Sequence, residues 1–241
     1  MSAVVWHDVE CGAYETDLPL WRALAAAHAG PVLDIGAGTG RVALDLAGRG
    51  VDVVAVDLED ELLDALRARA GAAELDIPAH RADARSLDLG DARFPLIIVP
   101  MQTIQLLGGT AGRMGFLRSA RAHLEPGGVL AIALADALEA FDEDHMAPPI
   151  PDMREVDGVV YASRPLAVQD LGADGVVLQR LRETVTPDGH HEFEEDRIRL
   201  DRLDAPTLET EGRAAGLVVL ARREVPATEE YVGSAVVMLG A

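Results

Sequence analysis

The chain contains no lysine and a single cysteine, Cys11, among its 241 residues. One cysteine excludes an internal disulfide and is typical of a reducing compartment, so we expect a cytoplasmic protein. The sequence also lacks any uninterrupted apolar run long enough to span a bilayer, and its first residues carry no basic segment of the kind that begins a secretory signal. We therefore expect no association with a membrane.

Basic residues are scarce as well: 21 arginines face 41 acidic residues, for a formal net charge of −20. A field of this sign repels phosphate backbones, because proteins bind nucleic acids chiefly through basic side chains. Nucleic acid is therefore not an expected partner. A metal is not expected either, because adjacent histidines such as His190 and His191 would point to opposite faces of a strand.

A glycine-rich turn at residues 36–40 is the most informative part of the sequence. The apolar run Pro31 to Ile35 has the length of a buried strand, and a helical repeat of apolar residues begins shortly after the turn. Glycine accepts backbone angles that other residues resist, and without a Cβ it lets a ligand approach the chain. The turn is thus predicted to hold a nucleotide-like ligand against the free N–H groups of the following helix.

The spacing of these glycines disfavours two common ligand classes. Gly36, Gly38 and Gly40 alternate with other residues, whereas a dinucleotide fingerprint reads G-x-G-x-x-G. A phosphate-binding P-loop requires a Gly-Lys pair, and the chain has no lysine. A nicotinamide oxidoreductase is therefore a disfavoured alternative.

An acidic residue precedes the alternating glycines and gives the pattern Asp34-x-Gly36-x-Gly38-x-Gly40. This pattern resembles the first motif of the class I S-adenosylmethionine-dependent methyltransferases. The resemblance extends over roughly residues 30 to 135, and it is specific because several elements follow in the family's order.

Those further elements are three strands and a turn. The first strand ends in Asp57, the second ends near Asp83, and the third ends near Pro100. A Pro-Gly-Gly turn at residues 126–128 precedes a fifth strand. Each element is common by itself, but together they identify the chain as similar to this family and imply S-adenosylmethionine as its cofactor.

The resemblance also implies which residues bind that cofactor. A carboxylate at the end of the second strand can accept two hydrogen bonds from a ribose diol, which is the role of Asp57. Asp34 either supports the glycine loop or meets the amino group of the methionine moiety, and Asp83 with Ala84 would contact adenine. The complete predicted cofactor set is Asp34, Gly36, Ala37, Gly38, Gly40, Asp57, Leu58, Asp83, Ala84, Pro100, Met101 and Tyr14.

The sequence indicates the residues that would bind the methyl acceptor less clearly. Gln102 stands where many members of the family have asparagine, and Gln105 follows it in the same turn. His145 is a candidate general base by its location in an acidic loop, and a solvated loop histidine is the alternative. Methyl transfer needs no obligatory catalytic side chain, because alignment of two reactants and exclusion of water do most of the work.

Alternating strands and helices predict an α/β fold: a Rossmann-like, doubly wound, mostly parallel seven-stranded sheet with helices on both faces. From residue 150 to 203, period-two patterns separated by turn signals predict an inserted antiparallel β meander. The core would then comprise residues 1–149 and 204–241. The resemblance implies that the insertion covers the acceptor pocket, with a dimerisation surface as the alternative.

The sequence therefore predicts an S-adenosylmethionine-dependent methyltransferase. It would transfer a methyl group to N or O of a small-molecule acceptor by in-line displacement, as a monomer or a homodimer. The alternative is a non-catalytic protein of the same fold that binds the cofactor or a partner without turnover.

Overall fold

The computed structural model describes residues 3–135, 141–142, 150–172, 175–228 and 232–241. The chain divides into two compact units. The antiparallel unit comprises Met1–Tyr14 and Ala137–Arg202, and the parallel unit comprises Glu15–Asp136 and Leu203–Ala241. Within the described ranges, no helix is both long enough and apolar enough to cross a membrane.

Helices and strands alternate through the first half of the chain. The helices are α1 (Ala3–Cys11), α2 (Leu18–Ala27), α3 (Arg41–Ala47), α4 (Asp60–Ala72), α5 (Gly109–His123) and α6 (Ala205–Ala214). The strands are β1 (Val32–Ile35), β2 (Val53–Asp57), β3 (Ala79–Arg81), β4 (Phe94–Val99), β5 (Leu124–Leu134), β6 (Phe141–Asp142), β7 (Asp152–Val156), β8 (Val159–Asp170), β9 (Val176–Val185), β10 (His191–Leu200), β11 (Val218–Val219), β12 (Arg223–Val225) and β13 (Ser234–Gly240). Short 3-10 helices span Ala84–Ser86 and Thr103–Leu106.

The parallel unit is built on one twisted sheet with the strand order β11-β13-β5-β4-β1-β2-β3. The five strands from β5 to β3 in this order are parallel, and β13 is antiparallel to both β5 and β11. β12 also pairs with β13, so the outermost position of the sheet is shared by two short strands. The predicted Rossmann-like, mostly parallel sheet of seven positions is confirmed.

The central strands of this sheet are apolar on both faces because helices cover both. All six residues of β4 are buried, and its neighbour β1 is buried throughout as well. On α5, Phe116, Leu117 and Ala120 form an apolar stripe that is fully buried in the same core. The hydrophobic effect of these contacts fixes β1 and β4 at the centre of the sheet.

Arg113 and Glu211 form a buried charged pair in the parallel unit. Arg113 of α5 donates from Nε and Nη2 to the two carboxylate oxygens of Glu211 on α6, at 2.8 and 2.7 Å. The two side chains are only 5% and 9% exposed, so each charge depends on the other for its solvation. The pair joins two helices that are far apart in the sequence.

The antiparallel unit is a five-stranded sheet in which β8 pairs with β9 on one edge and with β6 and β7 on the other, while β10 pairs with β9. All of these pairs are antiparallel. Most of β10 is exposed, whereas Val168, Val176 and Leu200 form a small apolar cluster. The predicted antiparallel meander is present as a separate sheet.

Helix α1 belongs to this antiparallel unit, whereas the sequence assigned residues 1–149 to the parallel core. Trp6 of α1 packs edge-on against Tyr161, with 5.5 Å between ring centroids, and the Arg182 guanidinium lies over its indole ring at 5.2 Å. Arg182 also binds the carboxylate of Glu10, at 2.8 and 3.0 Å. These contacts join residues far apart in the chain, which a local pattern does not reveal.

Candidate active site

The glycine-rich loop follows the carboxyl end of β1 and is held against the end of β2. The backbone N–H groups of Gly36 and Ala37 donate to the carbonyl oxygen of Val56, at 2.8 and 3.0 Å. Gly36, Gly38 and Gly40 have φ values of +71°, +55° and +95°, a region that favours glycine over residues with a side chain. The alternating glycines are thus required by the path of the backbone.

Two of these glycines are also required by their neighbours. A Cβ built at Gly36 would lie 2.5 Å from Cγ2 of Thr103, and one at Gly40 would lie 2.8 Å from Cγ of Leu66. Gly40 therefore allows α3 to begin close to α4, and Gly36 allows the loop to approach the turn after β4. Close packing around the loop leaves no space for larger residues there.

Asp57, at the end of β2, is bound directly to this loop. The N–H of Gly38 donates to its Oδ2 at 2.8 Å, and the N–H of Glu59 donates to its Oδ1 at 3.0 Å. A carboxylate offers about four acceptor positions, so each oxygen keeps capacity for a further donor. The neighbouring Leu58 side chain is 49% exposed and provides apolar surface beside these acceptors.

Asp34 is a buried carboxylate in β1, just before the loop. It is 1% exposed, and within the described part of the chain neither carboxylate oxygen has a hydrogen-bond partner. Burial raises the pKa of Asp34 to about 7; the charge of Arg41 and the backbone N–H of Ala43 oppose this shift, and the charges of Asp57 and Asp17 add to it. A buried carboxylate with unused acceptors is suited to a cationic donor such as an ammonium group.

The ion pair between Asp17 and Arg41 lies beside this carboxylate and was not among the predicted site residues. Arg41 donates from Nη1 and Nη2 to the two oxygens of Asp17, at 2.6 and 2.8 Å, and the indole N–H of Trp21 donates to Asp17 at 2.8 Å. Asp17 therefore neutralises much of the charge of Arg41, which would otherwise stabilise ionised Asp34. The position of Arg41 directly after Gly40 was the one available signal in the sequence.

The turn after β4 lies beside the glycine loop, as the contact at Thr103 shows. Met101 has φ +56°, an uncommon conformation for a residue with a side chain, and such strain clusters at functional sites. The Thr103 hydroxyl donates to the carbonyl of Pro100 at 3.0 Å. Gln102 is half-buried, and its side chain makes no capping bond to the 3-10 helix that follows.

Gln105 is buried at the end of this turn. Its Nε2 donates to the carbonyl of Ala135 at 3.1 Å, and its Oε1 accepts from the N–H of the same residue at 2.9 Å. The amide thus joins the turn to the end of β5. The contact of Gln105 with an acceptor stays a prediction. An acceptor would have to bind amide atoms that are already bonded to Ala135.

The carboxylate of Asp83 is bonded to a neighbouring arginine in the structure. Its carboxylate accepts three side-chain bonds from Arg85, at 2.6 to 3.0 Å, and one from the Arg85 N–H at 2.9 Å. The Arg85 side chain and then its N–H hold the pKa of Asp83 below its ordinary value. Ala84 begins the adjoining 3-10 helix. The adenine contact of these two residues stays a prediction.

The parallel unit thus brings together the glycine loop, Asp34, Asp57, Leu58 and the turn at residues 100–105. Tyr14 is buried and belongs to the antiparallel unit, so its proposed role stays a prediction. His145 lies outside the described residues.

Comparison with known proteins places residues 32–128 in a family described as a methyltransferase domain. The cypemycin N-terminal methyltransferase of a Streptomyces species is 33% identical over 108 residues, which are 45% of this chain and 43% of that protein. The uncharacterized protein Rv1405c of Mycobacterium tuberculosis is 39% identical over 90 residues, which are 36% of this chain and 33% of that protein. The similarity therefore spans less than half the length of these two relatives.

Among solved structures, this chain is similar to S-adenosylmethionine-bound CalS10, an amino pentose methyltransferase from Micromonospora echinaspora. The identity is 20%, the TM-score is 0.72, and the likeness covers 97% of this chain and 96% of that one. At this identity the likeness establishes the fold. Residues 32–128 match a methyltransferase domain, and the chain has the fold of the class I S-adenosylmethionine-dependent methyltransferases, so the resemblance predicted from the sequence is confirmed.

Proposed function

We propose that this protein transfers a methyl group from S-adenosylmethionine to a nitrogen or oxygen atom of a small-molecule acceptor. The observation that carries the proposal is the hydrogen bond from Gly38 to Asp57, which joins the glycine loop to a carboxylate suited to a ribose diol. The matched methyltransferase domain and the methyltransferases named above support the same activity.

The residues around this bond fit the groups of that cofactor. Asp57 would accept hydrogen bonds from the two ribose hydroxyls, and the exposed side chain of Leu58 would lie against the adenine ring. Asp34 would accept from the methionine ammonium group, which satisfies its unused oxygens. S-adenosylmethionine supplies a methyl group on a positively charged sulfur that an acceptor lone pair can displace in line.

We propose an amine as the preferred acceptor. The named neighbours are an amino pentose methyltransferase and an N-terminal methyltransferase, and both of these descriptions indicate an amine. An amine that is protonated at working pH has to lose a proton before its lone pair can attack, so a base near the acceptor is useful. His145 stays the candidate from the sequence.

A binding and turnover experiment tests this function. Calorimetry should show binding of S-adenosylhomocysteine and none of NADH, and amino sugars incubated with S-adenosylmethionine and the protein should gain 14 mass units per methyl group. Tight binding of NADH would contradict the cofactor assignment. Binding of S-adenosylhomocysteine without methylation across a broad panel of amines and alcohols would favour the non-catalytic alternative.

The buried carboxyl of Asp34 makes cofactor affinity depend on pH. Because its pKa is raised to about 7, it is mostly protonated below that pH, and a bound ammonium group favours the ionised form. We expect the affinity for S-adenosylhomocysteine to rise with pH up to about 7 and then level off, with a slope of at most about tenfold per pH unit. Calorimetry in buffers of different ionisation enthalpy measures the protons released on binding.

The control for this prediction is Asp34→Asn. Near pH 6 we expect release of close to one proton by the unsubstituted protein and none by the variant. Equal release by both would show that Asp34 only supports the loop. The effect on folding stability has the opposite sign. In the unfolded chain Asp34 loses its proton above its ordinary pKa of 3.8, whereas in the folded chain it keeps the proton up to about pH 7. The contribution of Asp34 to the free energy of unfolding therefore falls as the pH rises from 3.8 to about 7.

A further inference from the structure

An open groove lies in the parallel unit near the amino-terminal ends of β4 and β5, away from the glycine loop. It has a volume of about 490 Å³ and lies where β4 and β5 begin, whereas the loop follows the carboxyl end of β1. Because β1, β4 and β5 are parallel, the groove and the glycine loop lie at opposite ends of these strands. The residues that line the groove are Arg93, Arg118, Arg121, Ala122, Leu124, Pro126, Ala215 and Ala241.

Three arginines in this groove have no acidic partner in the part of the chain that the structure describes. Several arginines elsewhere in the unit form ion pairs with carboxylates, as Arg22 does with Asp45 at 2.7 Å. Among the described residues no carboxylate lies within ion-pair distance of Arg93, Arg118 or Arg121, although the chain has about twice as many acids as arginines. Their guanidinium groups therefore form a local concentration of positive charge on an acidic protein.

The guanidinium groups of two of these arginines lie close to the main chain. Arg121 packs on Gly216, where a Cβ would lie 3.1 Å from Cζ and Nη1 of the arginine. Arg93 donates from Nη1 to the carbonyl of Ala92 at 2.9 Å. A basic residue at the end of α5 also offsets the helix dipole, but this does not account for Arg93, which precedes β4 and is not on a helix.

We propose that this groove binds an organic phosphate at a site separate from the methyl-transfer site. Guanidinium groups bind phosphate through paired, charge-assisted hydrogen bonds. Ala122, Leu124, Pro126 and Ala215 add apolar surface to the groove, and this surface would contact the organic part of the ligand.

Phenyl phosphate is the probe for this site, with inorganic phosphate and phenol as its two halves. Calorimetry at low ionic strength should show saturable binding of phenyl phosphate that is tighter than that of inorganic phosphate, with no binding of phenol. Arg121→Gln and Arg93→Gln should each weaken it about fivefold, the usual upper size of one exposed charge pair. Amide chemical shifts of Ala122 and Ala215 should move on titration.

The matched control is Arg223→Gln. Arg223 is an exposed arginine in β12 that is outside the groove and has no carboxylate partner among the described residues. This variant changes the net charge equally and should leave the affinity unchanged. All three variants should bind S-adenosylhomocysteine as the unsubstituted protein does, which confirms that they are folded. The proposal is overturned by equal weakening in all three, by the absence of saturation, or by equal affinity for inorganic phosphate.

Discussion

Asp57→Ala is expected to weaken the binding of S-adenosylhomocysteine by about a hundredfold or more. Two hydroxyl donors lose a charged acceptor, and each such bond contributes about 1.5 to 3 kcal/mol. The same change removes the acceptor of the Gly38 N–H, which is bound to Asp57 at 2.8 Å, so the glycine loop loses one of its supports. Calorimetric titration of the variant with S-adenosylhomocysteine measures the loss.

Asp52→Ala is the matched control. Asp52 is an exposed aspartate that precedes β2, whereas Asp57 ends it, so the two residues stand at opposite ends of one strand. Both variants lose one negative charge, and an effect of net charge alone would therefore change the affinity of both. A similar affinity for Asp57→Ala and Asp52→Ala would contradict the ribose assignment.

Gly36→Ala is expected to remove cofactor binding and to lower the free energy of unfolding of the parallel unit by about 2 to 5 kcal/mol. A side chain in the left-handed region costs about 1 to 2 kcal/mol, and overpacking adds about 1 to 3 kcal/mol. Here φ is +71°, and the new Cβ would lie 2.5 Å from Cγ2 of Thr103. Denaturant unfolding measures the stability, and calorimetry measures the binding.

Two further variants separate the causes of that loss. Gly90 has φ +62°, and a Cβ built there would have nothing within 4 Å, so Gly90→Ala carries the backbone strain without the overlap and should cost about 1 to 2 kcal/mol. Adding Thr103→Ala to Gly36→Ala removes the two closest overlapping atoms and should restore part of the stability. If Gly36→Ala costs no more than Gly90→Ala, the close approach of the loop to Thr103 does not constrain this position.

The centre of the fold could be predicted from the sequence because its signals are local. The run from Val32 to Ile35 and the run that ends in Asp57 are short, apolar and followed by turn residues, and both are strands in the structure. The order of such elements along the chain then indicated a doubly wound sheet, which the fold confirms. Local sequence patterns are enough to predict an element when backbone conformation and burial are decided within a few neighbouring residues.

The partners of polar side chains could not be predicted in this way. Glu10 and Arg182 are separated by 172 positions, and Arg41 and Asp17 by 24, so neither pair leaves a trace in the local sequence. The same reason explains why Gln105 gave no sign of its bonds to Ala135, 30 residues further on. These contacts depend on which elements the fold brings together.

Strand β13 pairs with β5 along six residues of each strand, yet the whole antiparallel meander is encoded between them. A ribosome therefore releases β5 long before it synthesises β13, the strand that pairs with the free side of β5. During that interval the backbone groups of an apolar strand are unpaired, and such an edge recruits strands from other chains. The time needed to translate residues 135–233 thus sets how long each nascent chain is exposed to aggregation.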